Sequence, residues 1–347
     1  EDLECLSFDI KLAYTWGERE GGYKIALSYP MGFRRWNSEG EALYMISHRS
    51  HYGLAPAGRE WFNTRQTKLL KIFNDKNFSS AVCKSEPCLM TIIYWPSGNK
   101  PKDFNLKDWD MTVTSPDDDK LPTPAIASKD EIEAMGGKVT LMLTHVDDVD
   151  MLSDETETLE RVFEMVEKEW PVKRVPSDFL LGFKREKFSE GGVTYVRMTQ
   201  AACASEHVEK FKKYMPKRTP KVPIPPGTTL NKSNAGKDEK EIRMIIDMGY
   251  QKLCGACLWL ARGVVPESYF AVTQVCSLMS TPSKKAFEIL CGVLAYQAEK
   301  AESRGIVWRS DGNKEPIVMA DASFKPCPYS GKSQYGVVAV LYGGPVV

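Results

Sequence analysis

The stretch KVTLMLTHVDDVDML, residues 138–152, sets two apolar, strand-like runs on either side of an aspartate pair, Asp147 and Asp148. It predicts a β-hairpin with both carboxylates at its tip. Adjacent carboxylates bracketed by apolar strand residues are costly to place unless a cation sits with them. On its own, His145-Val146-Asp147-Asp148 more often marks an ordinary acidic turn. A second segment changes that balance. Ser7-Phe8-Asp9-Ile10-Lys11-Leu12-Ala13-Tyr14 also sets an aspartate at the end of an apolar strand, with an aromatic residue five positions on.

The flanking sequence predicts mixed α and β structure. A helix follows the hairpin, capped by Asp154 with Glu157 in the reciprocal position. Its buried stripe is Leu159, Val162, Phe163 and Val166. Residues 59–73 carry a partial helical stripe and 87–95 read as a buried strand. Residues 97–137, including Ser115-Pro116-Asp117-Asp118-Asp119, have loop composition and read as an exposed, mobile insertion. Beyond the hairpin, 178–198 are strand-like, 203–215 suggest a basic helix, and the Pro-rich 216–226 an extended arm. Helical stretches follow over 241–262, 267–280 and 282–300, the last opened by Thr281 as cap and Pro282 in the first turn. Residues 316–322 and 335–342 read as two strands of a new sheet.

Composition bounds the answer. A chain of 347 residues predicts two or three domains. With 42% apolar and 27% charged residues it has the balance of a soluble globular protein, which excludes disorder over its length. Lys plus Arg equals Asp plus Glu at 46 each, but the charge is unevenly spread. Residues 147–169 hold ten acids and two bases, whereas 210–221 hold six bases and no acid. Nine scattered cysteines read as free thiols rather than a disulfide framework. No apolar run reaches the roughly 18 residues of a membrane span, and no signal peptide is visible. The abrupt start and the strand-like run ending at Val347 read as a fragment of a longer polypeptide.

The two aspartate segments belong to an ordered series. Asp9-Ile10-Lys11-Leu12-Ala13-Tyr14-Thr15-Trp16-Gly17 is followed by Tyr29-Pro30-Met31-Gly32-Phe33, then by Tyr52-Gly53-Leu54-Ala55-Pro56-Ala57-Gly58-Arg59-Glu60-Trp61. Glu86-Pro87-Cys88-Leu89 and the His145–Asp148 tetrapeptide come next, then Phe179-Leu180-Leu181-Gly182-Phe183 and Thr199-Gln200. Gly249 to Ala261 and Ala320-Asp321-Ala322-Ser323 close it. The series resembles the reverse transcriptases of copia-type LTR retrotransposons, in this order and over nearly the whole chain apart from the insertion. Departures fall at His145, where the family has Tyr, and at Ala55, Pro56 and Gly58, near the expected nucleotide and template sites.

The resemblance implies an α+β right-hand polymerase. It assigns 1–95 to palm with partial fingers, 96–137 to a loop insertion, and 138–198 to palm with the hairpin and primer grip. The thumb would cover 199–263, the connection 264–312, and a truncated RNase H-like domain 313–347. The implied activity is RNA-directed DNA synthesis from dNTPs within a retroelement polyprotein. Two Mg²⁺ ions, with Mn²⁺ able to substitute, would be held by Asp9, Asp147, Asp148 and the Ile10 carbonyl, the catalytic aspartates being the same three. Tyr14 and Gly53 would meet the dNTP, with Tyr14 as a sugar gate or else a core aromatic. Leu181, Gly182 and Phe183 would form the primer grip. Asp321 would be an incomplete RNase H site, and the bases of 210–221 a thumb tracking phosphates or a solvated face. The implied partners are an RNA template, a DNA or tRNA primer, and other parts of the polyprotein, with no membrane. The implied location is the cytoplasm, in virus-like particles. The alternatives are a decayed or domesticated nucleic-acid binder without activity and, more weakly, a metal-dependent nuclease. Cys254 and Cys257 read as helix packing, since no second ligand pair stands at zinc spacing. Gly331-Lys332-Ser333 lacks the upstream glycine of a phosphate loop, having Pro326 there.

Overall fold

The computed structural model describes residues 3–19, 24–83, 86–96, 98, 100–101, 104, 129–228, 230, 232–312, 315–323 and 333–346. The chain divides into two compact units, Glu1–Ser177 and Asp178–Val347. Each mixes helices with antiparallel sheets.

The first unit contains β1 (Glu4–Ile10), α1 (Ala13–Trp16), β2 (Ile25–Ser28), β3 (Tyr44–Ser47), α2 (Ala57–Ile72), β4 (Phe78–Val82) and β5 (Leu89–Tyr94). It continues with α3 (Lys129–Ala134), β6 (Lys138–His145), β7 (Asp148–Ser153), α4 (Thr156–Glu169) and β8 (Val172–Val175). Six strands form one sheet in the order β4-β5-β6-β7-β1-β8, and β2 pairs with β3 alone. The first strand of the chain is thus inserted between β7 and β8. Side chains alternate between the faces of a strand. Accordingly Leu6, Phe8 and Ile10 of β1, and Val149 and Met151 of β7, join one buried core with Trp61 and Leu69 of α2 and with Phe73 just after it. Leu159, Val162, Phe163 and Val166 of α4 complete it, the stripe expected from their spacing. Each such fully buried side chain contributes about 2 kcal/mol relative to exposure.

Two local expectations fail here. The chain enters α4 through Glu155, with no side-chain cap, and not through Asp154. The reason is electrostatic: Asp154 is engaged by Lys129 at 2.6 Å. The expected loop over 97–137 is also corrected at its end. Residues 129–134 form α3, whose Ile132 is fully buried against Ile93 and Trp95, and Phe104 packs edge-on to Trp95 at 5.1 Å. An apolar anchor converts loop-like composition into a packed element. Residues 105–128, with Ser115–Asp119, lie outside the described residues.

The second unit contains β9 (Phe179–Leu180), β10 (Phe183–Glu190), β11 (Val193–Thr199), α5 (Ala201–Lys210), α6 (Glu239–Asp247), α7 (Tyr250–Gly263), α8 (Tyr269–Cys276) and α9 (Lys284–Ser303). Strands β12 (Ile306–Arg309), β13 (Ile317–Ser323), β14 (Gln334–Leu341) and β15 (Gly344–Pro345) follow. One sheet runs β12-β11-β10-β9 and another β13-β14-β15. The helices share one core that includes Leu253, Cys254, Cys257, Leu260, Val272, Leu290, Cys291 and Leu294.

This arrangement sets several boundaries of its own. Strands within 178–198 pair with one another and with β12, so they belong to the second unit and not to the sheet that carries the aspartates. The expected thumb–connection boundary at 263/264 runs through a single helical core, because α7 packs on both α8 and α9. The helical stretch 241–262 is two helices, parted at Gly249, whose φ of 100° a side chain would resist. Ser283, not Thr281, caps α9 by accepting from the Ala286 amide at 3.3 Å, which leaves Pro282 outside the helix. Cys254 and Cys257 are buried packing residues, and all eight described cysteines are free thiols. Among the described residues no helix is long and apolar enough to cross a membrane.

Candidate active site

Three carboxylates distant in sequence meet at one end of the first unit's sheet. On β1, Asp9 and Ser7 alternate with the core residues Phe8 and Ile10. On β7, Asp148 and Asp150 alternate with Val149 and Met151. The antiparallel register sets Asp9 opposite Asp148 and Ser7 opposite Asp150. The Ile10 amide donates to the Asp147 carbonyl at 2.8 Å, which ties the hairpin tip to the end of β1.

The acids act on one another. Burial pushes the Asp9 carboxyl above the ordinary carboxylate range and the Asp147 charge adds to it, while Lys173 and Lys11 pull it back. Asp148 is raised in the same way by burial, then by Asp147 and Asp9, with His145 opposing. Like charges converging on a partly desolvated surface favour either a proton or a cation. Asp150 is different. It is buried and accepts from Ser7 Oγ at 2.5 Å and Cys5 Sγ at 3.3 Å, so it ties β1 to β7 beneath the cluster.

Tyr14 is linked to these acids through Tyr52. Its ring meets that of Tyr52 edge-on, with centroids 4.8 Å apart. The Tyr52 hydroxyl is pushed up by burial, then by the charges of Asp147 and Asp9, so both carboxylates are its neighbours. Gly53 follows in the turn before α2 with φ 87°, a conformation that explains glycine there. Gly17 is required for a different reason: a Cβ there would stand 3.0 Å from the Trp61 backbone nitrogen.

Backbone strain gathers in the segments singled out by sequence. Among the described residues four non-glycines have positive φ: Leu12, Val146, Leu181 and Tyr342. Leu12 lies between Asp9 and Tyr14, and Val146 precedes Asp147. Val146 occupies the first position of a two-residue hairpin turn at φ 56°, where glycine is usual. A β-branched residue so held costs about 1–3 kcal/mol, and such strain clusters at functional sites.

The remaining predicted residues lie in the second unit. Leu181 (φ 51°) and Gly182 (φ 81°) form the turn between β9 and β10, and the Phe183 ring packs on Trp259 at 5.6 Å. Asp321 is exposed on β13 opposite Gly336, and one of its oxygens accepts from the Ala322 amide. The basic run is partly neutralised, Lys210 by Glu206 at 2.5 Å and Lys212 by Glu209 at 3.2 Å. A groove of about 1640 Å³ opens beside it, lined by Lys210, Lys213, Lys240, Arg243 and Lys252 against two acids, Glu239 and Asp247, with Phe211 and Ile242 among them.

Among the described residues no three His, Cys, Asp or Glu side chains make a ready-formed metal cage. The donors at Asp9, Asp147 and Asp148 nevertheless suit Mg²⁺, which takes one or two carboxylates and completes its shell with water and substrate oxygens. Asp9 and Asp148 stay raised, by burial first and then by Asp147, with Asp9 also acting on Asp148, although Lys173, Lys11 and His145 partly offset the acids. Sequence reasoning overlooked Tyr52, Ser7, Asp150 and Lys173. The strand register would have located Ser7 and Asp150, whereas nothing in the sequence marks Lys173. No protein-family model matches this chain, and no curated protein or solved structure matches it either.

Proposed function

We propose that this chain is the polymerase core of a copia-type reverse transcriptase, with the palm and part of the fingers in the first unit. In this reading the second unit supplies thumb, connection and the opening strands of an RNase H-like domain. The observation that carries it is the meeting of Asp9 with Asp147 and Asp148 across adjoining antiparallel strands, beside a strained two-residue turn.

The proposed reaction is attack of a primer 3′-hydroxyl on the α-phosphate of a dNTP, with pyrophosphate leaving. Two Mg²⁺ ions, when bound, supply charge for the nucleophile and the leaving group. Asp9, Asp147 and the Ile10 carbonyl would hold them, with Asp148 as a lesser ligand or an orienting group. The protein's own part is to keep these acids together at one end of the sheet. Lys11 and Lys173 set positive charge near Asp9, which favours arrival of an anionic triphosphate. Tyr14, braced by Tyr52, would stack under the sugar and exclude a 2′-hydroxyl. The basic groove of the second unit would take the phosphates of an RNA template and its DNA or tRNA primer.

Primer extension on an RNA template with Mg²⁺ tests the reading. Product that disappears in Asp9→Asn supports it. Retention of the template–primer without extension supports the second reading, a decayed nucleic-acid binder. The replacements at Ala55, Pro56, Gly58 and His145 favour that second reading, as does a basic groove that does not depend on the carboxylates.

A further inference from the structure

The turn that presents Asp147 is pinned from beneath. The Val146 carbonyl accepts the indole N–H of Trp61 at 2.6 Å and Nη1 of Arg65 at 3.2 Å. Both donors come from α2, four residues apart and so on one helix face. Each residue is only 1% exposed. The next carbonyl, that of Asp147, accepts the Ile10 amide at 2.8 Å. Successive carbonyls of the turn are therefore held by different elements, one by helix side chains and one by the β1 backbone.

The residue choices are hard to explain by stability alone. Val146 is β-branched at a φ of 56°, where glycine is free and valine is strained. Arg65 is a buried cation whose titratable neighbour is the Cys88 thiol and not a carboxylate, and among the described residues its Nε and Nη2 have no hydrogen-bond partner. Its guanidinium lies against the Phe62 ring at 5.4 Å. An apolar side chain of equal volume would fill that space without burying a charge. What Arg65 adds is a donor to Val146, beside its contact with the Cys88 thiol. Trp61 is itself fixed edge-on to Trp170 at 5.4 Å, and its backbone nitrogen abuts Gly17.

We infer that Trp61 and Arg65 are positioning residues that clamp the Val146 carbonyl, hold the turn in its strained form, and so set where Asp147 stands for metal. The metal clause rests on the polymerase reading. The clamp itself does not.

Three substitutions in the full chain test it: Trp61→Phe, which keeps a ring and loses the donor; Arg65→Met, which keeps volume and loses the charge; and Val146→Gly, which removes the strain. The metal-free readout is hydrogen exchange at the Ile10 amide, which reports the turn because it donates to Asp147. Trp61→Phe should speed that exchange about tenfold, and adding Val146→Gly should restore it. The second readout is the Mg²⁺ concentration for half-maximal extension. It should rise about tenfold in Trp61→Phe and Arg65→Met with template–primer affinity unchanged, as when an outer partner of a metal ligand is lost. Arg65→Met should melt no lower than the parent. Unchanged Ile10 exchange in both clamp variants overturns the inference, whatever the enzyme does. Loss of function that merely tracks lost thermal stability, with no recovery from Val146→Gly, overturns it too. A parent chain that neither binds Mg²⁺ nor extends a primer defeats the polymerase reading instead, while Ile10 exchange still decides the clamp.

Discussion

Two antiparallel hairpins in this molecule carry aspartates from the same sequence reasoning, and they differ in everything around the carboxylate. The turn between β6 and β7 holds Asp147 and Asp148 against Asp9 from a third strand, over a core of Phe8, Ile10 and Val149. Strand β13 holds Asp321 on a three-stranded sheet whose described β13 side chains are all exposed. In the first, burial and like charge raise the carboxyl groups. In the second, the carboxylate accepts only from the amide of the next residue among the bonds seen. Residue type alone does not make a metal site. A site arises where packing makes the negative charges costly and leaves a cation as the relief.

The sharpest way to break this comparison is to remove one acid from each region. Asp9→Asn and Asp147→Asn should each lower primer extension roughly a thousandfold, the several kcal/mol of charge stabilisation that bound metal supplies. Template–primer affinity should stay within about twofold, because the proposed phosphate contacts lie with basic residues elsewhere. Asp321→Asn should leave extension and binding as they were. Extension that survives both substitutions in the first unit would remove the distinction between the two hairpins. Cleavage of the RNA strand of a hybrid that is lost in Asp321→Asn would make the second hairpin a site after all.

A smaller effect sharpens the comparison within the first unit. Tyr14 stands by the acids only through its edge contact with Tyr52. If its ring guards the sugar, Tyr14→Ala should raise the ratio of ribonucleotide to deoxynucleotide incorporation roughly ten- to hundredfold, the range open to a steric pocket. Tyr52→Ala, which removes the brace and leaves Tyr14, should give an intermediate ratio. Equal ratios in the parent and both variants would reduce the pair to packing.

The contrast also explains what was legible beforehand. The apolar, strand-like runs in residues 138–152 and in Ser7–Ile10 located the strands, and the aspartates at their ends located the cluster. The α4 stripe was equally plain, because Leu159, Val162, Phe163 and Val166 repeat at helical spacing. Competing local partners were not legible: Asp154 pairs with Lys129 from another element, so it does not cap α4. The division at Ser177/Asp178 was hidden because β10 and β11 find their further partner in β12, far along the chain. The clamp on Val146 was invisible for the same reason. Trp61 and Arg65 look like ordinary members of a helical stripe until the fold brings the turn over them.

The smallest expected effect concerns stability and the partly buried carboxylate of Asp148. Asp148 has its folded-state pKa raised, by burial first and then by Asp147 and Asp9. A group raised on folding contributes stability that is fully present below its unfolded pKa and is lost as pH rises through the folded value. Near neutral pH, without metal, the ionised Asp148 therefore opposes folding. Asp148→Asn should remove that opposition and raise the melting temperature at pH 7 in the presence of chelator, by on the order of 1 °C for a chain of this size. Near pH 3 the gain should vanish, since the parent carboxyl is then protonated. Saturating Mg²⁺ should stabilise the parent more than the variant and close the gap, as a ligand selective for the native state does. A drop in melting temperature for Asp148→Asn at pH 7 without metal would mean that its carboxylate is held by favourable bonds, and the cluster would then be a structural feature with no need of a cation.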